Sequence, residues 1–151
     1  MEFSEVTKKY WEKRDWEDLE KAKSMSDMRV IALRVIERMP KPIVQVCGSI
    51  ATGGLGSIEK NLDIFNKTIQ KLQKKGLNVF DQMPFEAPMQ KLKEEVSTKD
   101  VVDSIMNDFY LPIFNSGIIS AFYFLPEWQG SHGANLEHEL AQKIGIKISY
   151  L

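Results

Sequence analysis

The sequence predicts one α/β domain built on a parallel sheet of about four to five strands. Short apolar segments alternate with amphipathic segments along the chain, the pattern of strands joined by right-handed helical crossovers. The apolar run 118–125 is typical of a central parallel strand that is buried on both faces. The 151 residues are enough for one domain with a core and too few for two ordinary domains.

The composition is that of a soluble globular protein, with 43% hydrophobic and 27% charged residues. The net charge of −1 predicts no general attraction to nucleic acid or to acidic membranes. No apolar run has the length of a membrane span, and the polar first residues lack the apolar core of a signal peptide. Cys47 is the single cysteine, which excludes an intrachain disulfide. We therefore expect a cytoplasmic protein.

Two helices are predicted before the first strand, as an extension over residues 1–39 that precedes a core over 42–151. Residues 4–23 are rich in Glu, Lys and Trp, and residues 28–39 form a second helix that Pro40 ends. The second helix is apolar nearly all round, which predicts a homodimer that buries residues 4–38 and 99–114 against a second copy. The alternative is that the first helix folds over the second within one chain.

The core elements follow from hydrophobic periodicity and from turn residues. Apolar residues three and four apart predict two strong helices, and glycines at 76 and 145 end them. The predicted order is a strand at 43–47, a glycine-rich loop at 48–57, a helix at 57–75, a strand at 77–80, a loop at 81–88, helices at 90–95 and 99–114, and then the strand at 118–125, the helix at 133–144 and a strand at 146–151.

The loop after the first strand is a candidate anion-binding site. Ligands of parallel α/β sheets bind beyond the carboxyl ends of the strands, and glycines let backbone amides approach a phosphate. The loop is neither a Walker loop nor a dinucleotide-binding fingerprint, and a flexible turn is the alternative interpretation. The candidate binding residues are Gly48, Ser49, Ile50, Gly53 and Gly54.

Three further segments also follow predicted strands. Asp81 follows the second predicted strand, where an acidic side chain can accept a hydrogen bond from a ribose hydroxyl. The equally good alternative is that Asp81 is an ordinary loop residue. Trp128 is placed to stack on a base, with packing as its alternative role. Ser131 and Gly133 open the last helix and form a second anion-binding terminus.

Glu137 is the most informative residue, because it puts a carboxylate on the apolar side of the last helix. At about 100° per residue it falls near the middle of an arc of roughly 160° that is otherwise apolar. A carboxylate there is costly unless it is paired or used. The alternative is a buried structural Glu satisfied by backbone donors or by a Lys. The other members of the arc are Ala134, Leu136, Leu140, Ala141 and Ile144.

The remaining reactive residues carry weaker signals. Cys47 ends a buried strand and is interpreted as a small core residue. His132 and His138 lack a convincing set of partner ligands, so no metal and no cofactor are predicted, and His138 is expected to be solvated. The arginines all precede the first strand, so a phosphate would be held by backbone amides, hydroxyls and Lys60, or by an arginine of the N-terminal helices.

The spacing Ser131-x-Gly133-x-x-x-Glu137-x-x-x-Ala141, together with Gly48-Ser49-Ile50 after the first strand, resembles the nucleoside 2-deoxyribosyltransferase-like superfamily. The resemblance covers about residues 42–151, and the segment 125–134 is especially similar to small uncharacterised bacterial and phage members. It implies a flavodoxin-like fold and cleavage of the N-glycosidic bond of a nucleoside or nucleotide. It also implies that Glu137 attacks or stabilises the anomeric carbon.

The same resemblance implies that Gly48, Ser49, Ser131 and Gly133 cradle a 5′-phosphate and that the protein is a homodimer. This chain departs from the family in having Ser120 at a position often occupied by Asp. Asp108 and Asp103 are candidates for a second family Asp, and the candidate catalytic set is Glu137, Asp81 and Asp108. The family's transferring branch uses an Asn of the partner's C-terminus, which has no counterpart here. We therefore expect hydrolysis of a nucleoside 5′-monophosphate rather than deoxyribosyl transfer, with a non-catalytic nucleotide-binding or sensing module as the alternative.

Overall fold

The computed structural model of the chain describes residues 2–50, 57–95 and 103–151. The chain forms two compact units. One, the helical unit, comprises Met1–Pro40 and Asp81–Ile118. The other, the sheet unit, comprises Lys41–Phe80 and Ile119–Leu151.

The sheet unit contains four parallel strands, which confirms the predicted α/β class. They are β1 (Ile43–Cys47), β2 (Asn78–Val79), β3 (Ile119–Phe124) and β4 (Lys147–Tyr150), in the order β2-β1-β3-β4. This is the strand order of flavodoxin-like folds. β1 is buried along its whole length, as expected of a central strand made largely of β-branched residues.

Two helices connect the strands of the sheet unit, and both are close to the predicted bounds. α4 (Ile58–Lys74) leads from β1 to β2, and a second helix, His132–Ile144, leads from β3 to β4. Because these crossovers run in opposite directions along the sheet, right-handed connections place the two helices on opposite faces. The strand order reverses between β1 and β3, and the carboxyl ends of these strands form the crevice where ligands of such sheets bind.

The helical unit begins with α1 (Glu5–Lys9) and α2 (Lys13–Lys21), where one helix over 4–23 was predicted. The break falls at Trp11 and Glu12. Trp11 turns inward and is 8% exposed, and the Glu12 backbone N–H donates to the Asp15 carboxylate at 2.8 Å in a capping box that starts the second helix. The prediction of a single continuous helix was therefore wrong.

α3 (Met25–Glu37) packs against α2 in the same chain. The fully buried Asp15 carboxylate accepts from Arg38 at 2.5 Å and pairs with Arg34 at 3.0 Å. Burial raises the pKa of Asp15, but the bonds from Arg38 and Glu12 and the two arginine charges outweigh it, so the pKa is lowered. The first helical segment thus folds over the second, as the alternative interpretation held; the homodimer stays a prediction.

The segment after β2 differs from the prediction. Residues 81–88 were expected to form a loop, but α5 runs over Met83–Glu95. Asp81 starts this helix by accepting from the Met83 backbone N–H at 2.9 Å. Pro84 lies in the first turn, where its missing N–H costs no helical hydrogen bond, and Pro88 lies inside the helix. The prediction of a loop over 81–88 was therefore wrong.

The rest of the helical unit consists of a π-helical segment, Ile105–Tyr110, that continues into α6 (Leu111–Asn115). The start of the predicted helix at 99–114 lies outside the described residues. Glu86 of α5 is 5% exposed in this unit. Burial raises its pKa to about 7, against the opposing effects of Lys93, Gln90 and Tyr110. Among the helices of the described ranges, none has the length and apolarity needed to cross a bilayer.

Candidate functional site

Glu137 lies on the inner side of the last helix, here named α7 (His132–Ile144). The helix starts at Ser131, whose Oγ accepts from the Ala134 N–H at 3.2 Å, and it ends at Gly145 in the left-handed region. Glu137 is 8% exposed, and Ala134 and Ala141, one turn away on either side, are buried. This confirms that the carboxylate lies on the buried face. The predicted apolar arc was too wide, since Leu136 and Ile144 are exposed.

Cys47 is one partner of Glu137 in the structure. The Cys47 thiol donates to Glu137 Oε2 at 3.4 Å, across 90 residues of sequence. Burial raises the pKa of the thiol well above its usual value, and the Glu137 charge and hydrogen bond raise it further. The thiol therefore stays protonated near neutral pH and acts as the donor. The contact also shows that α7 covers the sheet face that carries Cys47.

The chain leaves β1 through a tight junction at Gly48. A Cβ built at this position would lie 2.7 Å from Leu125 Cδ1 and 2.9 Å from Leu125 Cβ, closer than carbon atoms can approach. The Leu125 N–H donates to the Cys47 carbonyl at 2.9 Å, just after β3 ends. Glycine is thus required where the segments after β1 and β3 touch, at the switch point of the sheet.

Two buried polar side chains of β1 and its following loop have unsatisfied atoms. Ser49 is 6% exposed, and its Oγ has no hydrogen-bond partner among the described residues. Gln45 is fully buried, and within the same ranges neither its Nε2 nor its Oε1 has a partner. Because strand side chains alternate, Gln45 lies on the same sheet face as Cys47. Buried unpaired polar groups are rare and destabilising, and they occur where a ligand or water completes the bonding.

The predicted anion loop is described only in part. The Ile50 carbonyl accepts from Asn61 Nδ2 at 2.9 Å, which ties the start of the loop to α4. Ser57 ends the loop as the N-cap of α4, with its Oγ accepting from the Lys60 N–H. Gly53 and Gly54 lie outside the described residues, so their predicted role in phosphate binding stays a prediction.

Comparison with protein families gives one match, to DUF4406, a domain of unknown function, over residues 44–150. The match covers well over half of the chain. The chain belongs to the DUF4406 family. Comparison of this chain with the curated proteins and with the solved structures gives no match. Glu137, Cys47, Gly48 and Ser131 all fall within the matched DUF4406 region.

Trp128 of this DUF4406 member belongs to an aromatic cluster beyond β3. Its ring stacks on His138 at 4.3 Å between centroids, and His138 Nε2 shares a hydrogen bond of 2.7 Å with the Tyr150 hydroxyl. His138 is therefore half-buried and only partly solvated, because one side of its ring packs on Trp128. A cleft of about 390 Å³ opens beside the cluster and is lined by Phe124, Leu125, Pro126, Glu127, Trp128, Gln129, Tyr150 and Leu151.

That cleft and the Glu137 site are neighbouring features of the sheet unit. Leu125 lines the cleft and also presses against Gly48, whereas Glu137 and Ser49 are not part of the lining. A volume of this size is within the range of small-molecule sites. The structure thus places Trp128 at a cleft, and its stacking on a base stays a prediction.

The two other predicted catalytic acids lie in the helical unit. Asp81 accepts from the Thr7 hydroxyl at 2.8 Å and from the Met83 N–H. Burial raises its pKa, and these two bonds oppose the rise. Asp108 lies in the π-helical segment and accepts from the Ser104 hydroxyl at 2.7 Å. Both carboxylates thus have structural partners, and their catalytic roles stay predictions.

Sequence reasoning missed two features of the site. Cys47 was interpreted as a small core residue, and its bond to Glu137 depends on a long-range contact that no local pattern contains. The predicted strand at 43–47 was treated as apolar throughout. The single amide of Gln45 among its β-branched residues was a visible sign of a buried polar group. The ranges that the structure describes contain no cluster of three or more His, Cys, Asp or Glu side chains able to hold a metal ion.

Proposed function

We propose that the protein is an N-glycosidase that cleaves the base–sugar bond of a nucleoside 5′-monophosphate, with Glu137 as the nucleophile. The observation that carries the proposal is the position of Glu137. Its carboxylate is buried on α7, beside the last residue of β1 and at the switch point of a flavodoxin-like sheet. Such crevices are where these folds bind ligands.

The chemistry suits a carboxylate in this position. Glycosidic cleavage passes through an oxocarbenium-like state, which a carboxylate captures. A Glu137 oxygen would form a bond to C1′ as the C1′–N bond breaks, and the base would leave with the bonding pair and take a proton. Water would then attack C1′, release the sugar phosphate and restore the carboxylate. The sum is nucleotide plus water to free base plus pentose 5-phosphate.

The surrounding groups support an anionic substrate. The unsatisfied Ser49 hydroxyl follows β1, and Ser131 and Gly133 open α7 after β3, so both segments lie at the same edge of adjacent strands. Hydroxyls and the N-terminal amides of a 13-residue helix favour a phosphate. The resemblance to the nucleoside 2-deoxyribosyltransferase-like superfamily supports the same assignment, because its Ser-Gly-Glu spacing coincides with the N-cap, the first turn and the buried face of α7.

The test is to incubate the protein with a panel of ribo- and deoxyribonucleoside 5′-monophosphates and to detect free base by chromatography. We expect base from at least one of them and none with Glu137→Ala. Glu139→Ala is the matched control, since Glu139 lies two residues further on the exposed side of the same helix. A folded protein that releases no base from any nucleotide contradicts the proposal.

A second candidate function is a non-catalytic nucleotide-binding or sensing module. One observation favours it: Asp81 and Asp108 both have hydrogen-bond partners within the helical unit, which leaves the proton donor to the leaving base unassigned. Calorimetry with the same nucleotides separates the two functions. Binding without product after prolonged incubation supports the module.

A further inference from the structure

We propose that Cys47 is a positioning residue that, through its bond to Oε2, helps to orient the Glu137 carboxylate for attack on the sugar. This inference rests on the proposed glycosidase function. It is carried by one contact, the 3.4 Å bond from the thiol to the carboxylate, and by the rigidity of the elements on both sides of it. The thiol would touch the carboxylate and not the substrate.

The Cys47 side of the contact is fixed by the sheet. Cys47 pairs with Phe124 in the parallel register, and its carbonyl accepts from the Leu125 N–H. The next residue, Gly48, has no room for a side chain against Leu125. The Cys47 Cβ therefore cannot shift without disturbing the centre of the sheet, which is the condition for a preorganised contact.

The Glu137 side is fixed by the packing of α7. Ala134 is completely buried and Ala141 nearly so, and these small residues bring the helix close to the structures beneath it. A glutamate side chain has several staggered rotamers. A hydrogen bond from a rigid strand selects one of them, which is what a nucleophile needs to meet C1′.

A thiol suits this role better than a stronger donor. S–H is a weak hydrogen-bond donor, so it orients the carboxylate while withdrawing little of its electron density. A charged partner would hold the carboxylate more firmly and reduce its nucleophilicity. The raised pKa of the thiol keeps the proton on sulfur, so the donor persists over the neutral range.

The kinetic test compares Cys47→Ala, which removes the donor, with Cys47→Ser, which keeps one. With the best nucleotide of the panel, we expect Cys47→Ala to lower kcat about fivefold, the size of one ordinary hydrogen bond, with KM within about twofold. Cys47→Ser should recover part of kcat. If Cys47 only filled space, Cys47→Ser would have the lower kcat of the two variants, because a hydroxyl fits an apolar site less well than a methyl group does. Equal kcat in all three proteins overturns the proposal.

A second measurement does not require turnover. Cys47 is the single cysteine, so ¹³C-labelled cysteine reports one titration by NMR. In Glu137→Gln the pKa of the thiol should fall, because the adjacent negative charge is gone. An unchanged thiol titration overturns the contact itself. If the thiol responds but the wild-type protein releases no base, the contact stands and the glycosidase proposal, with the positioning role that rests on it, falls.

Discussion

At the scale of single residues, two buried serines that follow β1 and β3 differ in their bonding. Ser131 Oγ caps α7, whereas Ser49 Oγ has no partner among the described residues. Ser131→Ala should lower the free energy of unfolding by about 1 kcal/mol through loss of the cap. Ser49→Ala should leave it unchanged or raise it, because an unsatisfied buried hydroxyl is removed. Urea unfolding of both variants measures the difference.

The same Ser49→Ala variant should bind nucleotides more weakly, because its hydroxyl is reserved for the ligand in our account. Calorimetry with the best nucleoside monophosphate measures this loss, with the wild type alongside. A variant that is destabilised and binds normally would show that Ser49 is structural.

Two glycines at the same edge of the sheet also differ. Gly48→Ala would force a Cβ to within 2.7 Å of Leu125, and overpacking of this kind costs about 1–3 kcal/mol. A Cβ at Gly133 would find its nearest neighbour, Ser131 Oγ, at 4.0 Å, so Gly133→Ala should stabilise α7 by up to about 1 kcal/mol. Thermal unfolding should therefore show Tm values displaced in opposite directions. Equal displacement would contradict the tight junction at Gly48.

At the scale of elements, α5 carries a pH-sensitive group. The pKa of Glu86 is about 7 in the folded chain, against an ordinary 4.5. Between these values the folded protein keeps a proton that the unfolded chain releases. The contribution of Glu86 to the free energy of unfolding is therefore fully present below about pH 4.5. It is lost as the pH rises through about 7, and the loss is about 3 kcal/mol in total.

Glu86→Gln should abolish that decline, because the amide has no proton to lose. Urea unfolding at pH 5 and pH 8 measures it, and the difference between the two pH values should be smaller in the variant than in the wild type. Glu94→Gln, at an exposed position of the same helix, is the control and should behave like the wild type. An unchanged pH dependence in Glu86→Gln would show that another group titrates.

Which elements could be predicted from the sequence depends on whether their signals are local. The helices α4 and α7 follow from apolar spacing and from their serine caps, and β1 follows from its β-branched run. α5 was missed because a proline in the first turn of a helix looks, in sequence, like a helix breaker. The break before α2 was missed because it depends on the inward turn of Trp11, a tertiary event.

The site shows the same limit. Glu137 was predictable because its conflict with the apolar side of α7 is visible within one helix. Its hydrogen bond to Cys47 was not predictable, because the two residues lie 90 positions apart in the sequence and come together only in the folded chain.

At the scale of the whole molecule, the two units carry different features. The sheet unit carries Glu137, Cys47 and Ser49 at the carboxyl edge of its strands, and the helical unit carries the buried acids Asp15, Asp81 and Glu86. The DUF4406 match begins at residue 44 and so excludes α1–α3. The glycosidase proposal therefore concerns chemistry centred in the sheet unit.

The central claim is that Glu137 forms a bond to the sugar, and trapping that bond tests it most directly. Turnover of a deoxyribonucleoside monophosphate is quenched with acid, the protein is digested, and the peptides are analysed by mass spectrometry. We predict that the peptide containing Glu137 gains the mass of a deoxyribose 5-phosphate residue, and that Glu137→Gln yields neither the adduct nor free base. Continued release of base by Glu137→Gln, or an adduct on a different residue, would contradict the account.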